Sequence, residues 1–331
     1  MLLFIITSIS VVFSRYKDST EKRPVVKPEE LREWVSFLAS DEMRGRANGS
    51  PEMKTAALWI AEKFREYGLE PAGRQRELIQ NYSFTSGQRT IEERNVIGMI
   101  EGTDHLLKDE YIVLSAHFDH VGVKKSVQPD SIFNGADDNA AGTCTLISIA
   151  KTIKVSGLRP GRNIVFAAFS GEESGMRGSR YFVSNPLIPL KNIYVDMNFE
   201  MTGHSEYLGG KKYYMTGCLN SNLDDLIGEY NRKTDFQLVD TISIANSLFF
   251  ASDNIAFSRI TTKDGITQGI PSGTFATTTI GPYIHSVTDE AKLFDFENMA
   301  ELVNYFSDLT VWLSNCESEI VWTNPKFTRL K

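Results

Sequence analysis

The sequence predicts an α/β fold: three layers, α/β/α, around a central, mostly parallel mixed sheet. Two observations carry this prediction. From Asn95 onward, short β-rich apolar runs alternate with segments of helical spacing. Within them, residues 163–169 are continuously apolar after Asn163, the pattern of a strand buried on both faces of a parallel sheet. A chain of 331 residues fits one large α/β domain with additions, or about two domains of ~150 residues each.

The elements follow in order. Residues 2–13 are an apolar run broken by Thr7, Ser8 and Ser10. It is short beside the ~20 residues of a membrane span. It fits the apolar stretch of a secretory signal cut after Ser14, although no basic residue precedes it. Residues 1–14 are therefore expected to be a signal peptide and the protein to be secreted or periplasmic. Residues 28–40 have helical spacing, with Leu31, Trp34, Val35 and Leu38 on one face. Ser50-Pro51-Glu52 opens a second helix with proline at its first position, and Gly68 ends it. Residues 75–93 are polar and read as a loop or an irregular β excursion. Strands are expected at 95–100, 111–116, 163–169, 192–199, 213–216 and 274–279. Helices are expected at 139–154, 175–183, 219–230 and 295–314. Residues 243–272 read as loop with a short helix at 254–258. Residues 15–90 form a helical lead-in and polar connection without a core of their own, so they belong to the same domain as 91–331.

Composition narrows the chemistry. The net charge of −7, from 35 basic and 42 acidic residues, argues against a general nucleic-acid binder. Cys144, Cys218 and Cys316 are scattered and odd in number, which excludes a disulfide framework and a CxxC zinc site. A bound metal must then use carboxylates and the five histidines, His105, His117, His120, His204 and His285.

Four expected strands lead into metal-capable residues. Strand 111–116 runs into His117-Phe118-Asp119-His120, and strand 163–169 into Ser170-Gly171-Glu172-Glu173. Strand 192–199 ends at Glu200, and strand 274–279 is followed by Gly281-Pro282-Tyr283-Ile284-His285. A fifth piece, Gly135-Ala136-Asp137-Asp138-Asn139, is an acidic turn opening a helix. Each has an ordinary explanation alone: a polar turn, an N-cap, a solvated glutamate pair. Together they fall on the edge where open α/β sheets bind ligands. Two His and three carboxylates hold two zinc ions if one carboxylate bridges. In Glu172-Glu173 one residue would bind metal while the other acts as base toward water, and Asp119 would orient the His117 imidazole.

These residues resemble a known family. The runs from Ser115 to Gly122, from Asn134 to Gly142 and from Phe169 to Ser179 are similar to motifs of the clan MH zinc aminopeptidases. That family includes aminopeptidases Y and S, glutamate carboxypeptidase II and, more distantly, glutaminyl cyclase and the transferrin receptor. The segment from Leu38 to Arg46 resembles its bacterial secreted members. The resemblance implies a phosphorylase/hydrolase-like zinc exopeptidase architecture, with a catalytic domain over 91–331. It implies two zinc ions per chain bridged by Asp138, one completed by His117 and Glu200, the other by Glu173 and His285. It implies Glu172 as general base, a cis peptide after Asp138, and peptide or protein N-termini as substrate. Independently of the resemblance, the acidic charge argues against nucleic acid, and no segment after the N-terminal run reads as a transmembrane helix, so neither nucleic acid nor stable membrane insertion is expected. The alternatives are a single-zinc glutaminyl cyclase chemistry and a non-catalytic binding domain on the same fold.

Three departures stand out. Glu200 replaces the aspartate many members carry, Ile284 separates Tyr283 from His285, and Asn254 replaces histidine in Ser252-Asp253-Asn254. Tyr283 would otherwise steady the oxyanion, and Asp253 would line the substrate site or cap a helix. His120 and His204 are expected in supporting or surface positions, His105 is expected exposed and Cys144 in the core. Phe249, Phe250 and Phe257 would suit an apolar side-chain pocket or pack their own loop.

Overall fold

The structure is a computed structural model that describes residues 26–241, 245–261, 267–279, 281 and 283–330. The expected signal segment, 1–14, and part of the 243–272 loop lie outside the described residues.

Helix α1 (Pro28–Leu38) and helix α2 (Pro51–Glu66) open the chain. Ser50 caps α2 by accepting the Met53 N–H at 3.1 Å, ahead of Pro51. Its buried face, Met53, Ala56, Ala57, Ile60, Ala61 and Phe64, lies on the sheet. Burying a side chain such as Phe64 contributes about 1.5–3 kcal/mol. Strand β1 (Glu70–Pro71) follows, then a hairpin of β2 (Ile79–Ser86) and β3 (Arg89–Ile100). The polar stretch expected as a loop or an irregular β excursion is thus β structure, a regular hairpin paired from Ile79↔Val96 to Ser86↔Arg89. Its far end is solvated on both faces, so the alternation that marks a half-buried strand is lost there.

Strand β4 (Tyr111–His117) is followed by a small ribbon of β5 (Gly122–Val123) and β6 (Ile132–Phe133). Helix α3 spans Gly142–Val155, and β7 spans Asn163–Phe169. Next come α4 (Arg177–Ser184), β8 (Ile193–Phe199), β9 (Lys212–Met215), α5 (Leu223–Asn231) and β10 (Gln237–Leu238). The last elements are α6 (Ala245–Leu248), α7 (Asn254–Ser258), β11 (Ile260–Thr261), β12 (Thr267–Gln268), β13 (Ser272–Ala276) and α8 (Phe296–Ser314). Helix 139–154 therefore starts three residues late, because residues 136–141 form a distorted turn.

The main sheet has the order β1-β3-β7-β4-β8-β13-β9-β10, with β2 beside β3. Its centre, β7-β4-β8-β13, is parallel, while β3 and β9 join antiparallel on either side. The central strands send alternate residues to two layers. Leu114, Ala116, Phe166 and Ala168 join the core under α1, α2, α3 and α8. Val113, Val165, Ala167 and Phe169 join a second core with Phe182 of α4 and Phe257 of α7. The expected three-layer α/β fold is present. Cys144 is buried in the first core, where desolvation pushes its thiol up, and His105 is exposed.

Of the two roles open to these phenylalanines, Phe249 and Phe257 take the packing one. Both are fully buried, Phe257 against Phe169 and Phe182, and Phe249 against Phe250 and Phe327. They pack the loop instead of lining a pocket; Phe250 alone of the three is exposed. Among the described residues no helix is long and apolar enough to cross a membrane.

Candidate metal centre

The parallel strands bring the candidate residues to one edge. His117 ends β4 opposite Phe169, the last residue of β7, and the Phe118 N–H donates to the Phe169 carbonyl at 3.0 Å. Beyond β7, Gly171 takes φ +76°, a conformation glycine adopts without a Cβ penalty, and turns the chain into Glu172-Glu173. Glu200 follows β8, with its N–H bonded to the Phe275 carbonyl of β13 at 3.1 Å. His285 arrives on the loop after β13.

The acidic turn is locked from three sides. Its Asp138–Asn139 peptide is cis. The Asp289 carboxylate accepts the Asp137 N–H at 2.7 Å and the Asp138 N–H at 3.0 Å. The Asn139 side chain donates to the Phe199 carbonyl at 2.9 Å and accepts the Met201 N–H at 3.3 Å, so it grips both neighbours of Glu200. Below, Arg46 is fully buried. Its guanidinium donates to the carbonyls of Phe118, Asn134 and Gly135, each at 2.8 Å, and to that of Leu38. Burial lowers its pKa to about 10, against the raising charges of Asp289, Asp119 and Asp138.

Asp138 then faces two ways. Its Oδ1 lies 3.3 Å from His117 Nε2 and its Oδ2 3.2 Å from His285 Nε2. Glu200 Oε1 lies 3.4 Å from His117 Nε2, and Glu173 Oε1 3.0 Å from His285 Nε2. The longer Glu200 side chain is steadied by a hydrogen bond from Ser252 Oγ. Burial alone would raise Asp138, but His117, His285 and the charge of His120 hold it well below the usual carboxylate range. His285 is raised to about 10 by its bonds to Asp138 and Glu173. His117 is raised well above its ordinary value by Asp119, Asp138 and Glu200, with burial opposing. A divalent cation would take over the role these imidazole protons play between the carboxylates.

The geometry fits a metal. Two donors on one tetrahedral zinc, each at ~2.0–2.1 Å, stand about 3.3 Å apart. The separations above, 3.0–3.4 Å, match that spacing.

Glu172 is largely buried. Desolvation pushes its carboxyl well above the ordinary range, Glu200 and Asp253 add to this, and His117 opposes it. Asp119 is fully buried, and its two oxygens accept the Glu172 N–H at 3.1 Å and the Glu173 N–H at 3.2 Å; Asn48 also donates to it at 2.8 Å. Its own carbonyl, at 3.2 Å, is nearer to His117 Nδ1 than its carboxylate, at 3.7 Å. Asp119 therefore anchors the glutamate turn as well as facing the histidine. Asp253 stands at the N-cap of α7 but makes no capping bond; it accepts from Ser179 Oγ, and burial raises its carboxyl to about 7. Tyr283 stacks flat on His204, with centroids 5.0 Å apart and planes at 6°.

His120 and His204 are both buried, so neither takes the surface position that was one of the two expected for it. His204 lies under Tyr283, away from the cluster. His120 lies inside it: His120, Asp138, Glu173 and His285 present donor atoms all within 4.8 Å of one another. The sequence reading also missed Asp289 and the buried Arg46. The signal for Asp289 was its position four residues after His285. For Arg46 it was the 38–46 segment already set apart by resemblance.

Comparison with known proteins shows what the chain is similar to. A probable zinc metalloprotease of Leptosphaeria maculans is 27% identical over 174 residues, 52% of this chain and 39% of its own. Leucine aminopeptidase 1 of Trichophyton rubrum is 23% identical over 258 residues, 75% of this chain and 64% of its own. The chain thus spans about two fifths to two thirds of the length of these relatives. The solved aminopeptidase of Aneurinibacillus sp. strain AM-1 shares the fold, with a TM-score of 0.64 at 14% identity over 92% of this chain and 98% of that one. The model of Peptidase family M28 matches residues 95–310, from the middle of β3 into α8 and across every candidate ligand. By that match over well more than half its length, the chain belongs to Peptidase family M28.

Proposed function

We propose that this chain is a two-zinc exopeptidase that removes the N-terminal residue of peptides. Asp138 bridges the two sites, His117 and Glu200 complete one, and Glu173 and His285 complete the other. The observation that carries this reading is the division of the Asp138 carboxylate, Oδ1 toward His117 and Oδ2 toward His285.

Zinc, when bound, polarises a scissile carbonyl and makes a water acidic enough to attack near neutral pH. The chain's own residues do the rest. Glu172, held by its backbone to Asp119, takes the proton from the attacking water. It then returns that proton to the leaving amine. Asp289 and Asn139 keep the Asp138 turn fixed relative to Glu200 through both events. The leucine aminopeptidase relative and the aminopeptidase of the same fold support the choice of the N-terminal peptide end. The apolar run at residues 2–13 supports export of the protein.

Glu172→Gln tests the mechanism. The amide keeps the shape but takes no proton, so kcat on an aminoacyl-nitroanilide falls by about 10²–10⁴-fold with zinc content unchanged at two per chain. A Gln variant with full activity would exclude Glu172 as the base.

A further inference from the structure

The His120 ring is fully enclosed, and neither of its nitrogens has a hydrogen-bond partner among the described residues. An unpaired buried imidazole nitrogen is costly unless something takes its lone pair. Nδ1 points into the carboxylate cluster, 3.1 Å from Glu173 Oε1 and 3.6 Å from Asp138 Oδ2, without hydrogen-bond alignment to either. The chain makes room for this placement. A Cβ on Gly135 would lie 2.4 Å from His120 Cγ, and the His120 N–H is tied to the Arg46 carbonyl at 3.2 Å.

From this geometry we infer that His120 is a fourth protein ligand to the metal held by Asp138, Glu173 and His285. Four edges of the polyhedron are measured: 3.0 Å and 3.1 Å from Glu173 Oε1 to His285 and His120, and 3.2 Å and 3.6 Å from Asp138 Oδ2 to the same rings. They bracket the ~3.3 Å edge of a tetrahedral zinc site. The two rings approach at 63°, with centroids 5.5 Å apart, so they offer nitrogens without stacking.

The centre is then unequal. The His120 site has four protein donors, two of them imidazoles, and is closed in the manner of a structural zinc site. The site of His117, Asp138 and Glu200 has three and keeps a position for water. The closed site fills first and holds its ion more tightly. This inference rests on the two-zinc reading above.

The test uses the full chain, stripped of metal and given zinc alone. X-ray absorption at one equivalent of Zn²⁺ is expected to count two imidazoles on the ion. A chelator-competition titration is expected to give two binding steps, and His120→Gln to weaken the first by more than about 100-fold, the most that losing a merely orienting partner costs. Two zinc ions bound, each with a single imidazole, would overturn the inference and leave the two-zinc reading standing. Unchanged constants in His120→Gln would do the same. One zinc at saturation, carrying two imidazoles, would uphold His120 and overturn the two-zinc reading. No zinc bound would overturn both. The absorption measurement needs only the native chain, so it decides the matter even if the variant fails to fold.

Discussion

Asp119→Asn isolates the contact that positions the proposed base. In the native chain the Glu172 and Glu173 N–H groups each reach one oxygen of a single buried carboxylate, at 3.1 Å and 3.2 Å, and the Asn48 amide reaches the second oxygen at 2.8 Å. Hydrogen bonds to a charged acceptor contribute about 1.5–3 kcal/mol each. Asparagine keeps one acceptor oxygen and turns the other into a donor. The Asn48 amide can flip and accept from it, so that contact is recoverable. The Glu173 N–H cannot, and is left facing another N–H. One charge-assisted bond is lost and the other is weakened to a neutral one, a cost of about 2–4 kcal/mol. Urea unfolding of the zinc-free chain reads this as a lower midpoint at unchanged slope. On the same preparation reloaded with zinc, kcat/KM falls at least about tenfold, since 1.4 kcal/mol of lost positioning already amounts to that. A stability change below about 0.5 kcal/mol together with native kcat/KM would refute the argument.

Two further outcomes follow from the same structure. Arg46→Lys keeps the charge but cannot reach the carbonyls of Leu38, Phe118, Asn134 and Gly135 at once, so the chain loses about 3–5 kcal/mol in urea unfolding; a loss under 1 kcal/mol would mean the guanidinium fork holds little. Chelation lowers the thermal midpoint and restored zinc returns it, because each site adds about 2.7 kcal/mol when free zinc exceeds its Kd 100-fold. A midpoint indifferent to chelator and zinc alike would count against a metal in the folded chain.

Much of the fold was legible because its centre is strongly patterned. Strands β4 and β7 are buried on both faces and read as largely apolar runs without alternation, while β8, equally buried, carries Asp196 and Asn198 among its apolar residues. Their ends could be located to within a residue or two, and so could the residues that follow them. What the sequence pattern could not place was polar and buried. His120 sits beside an Asp in what looks like a surface turn, and only the absence of a Cβ at Gly135 makes space for it. Asp289 acts through two backbone N–H groups some 150 residues away in sequence, a pairing no local pattern encodes. The hairpin of β2 and β3 was blurred because its outer turn faces water on both sides. Phe249 and Phe257 left two roles open and took the commoner one: an apolar residue in a loop is more often that loop's own core than a wall of a pocket.

The tethers made by Arg46 and Asn48 bear on where the chain can be divided. Both residues precede the family-matched segment by more than forty positions, yet they touch the backbone just after His117, the turn before Asp138 and the anchor of Glu172. The segment that the family model matches therefore leans on contacts from outside it. Any evolutionary recombination that exchanged residues 95–310 alone would inherit the ligands without the brace beneath them. The N-terminal helices and the ligand-bearing strands must travel together as one heritable unit.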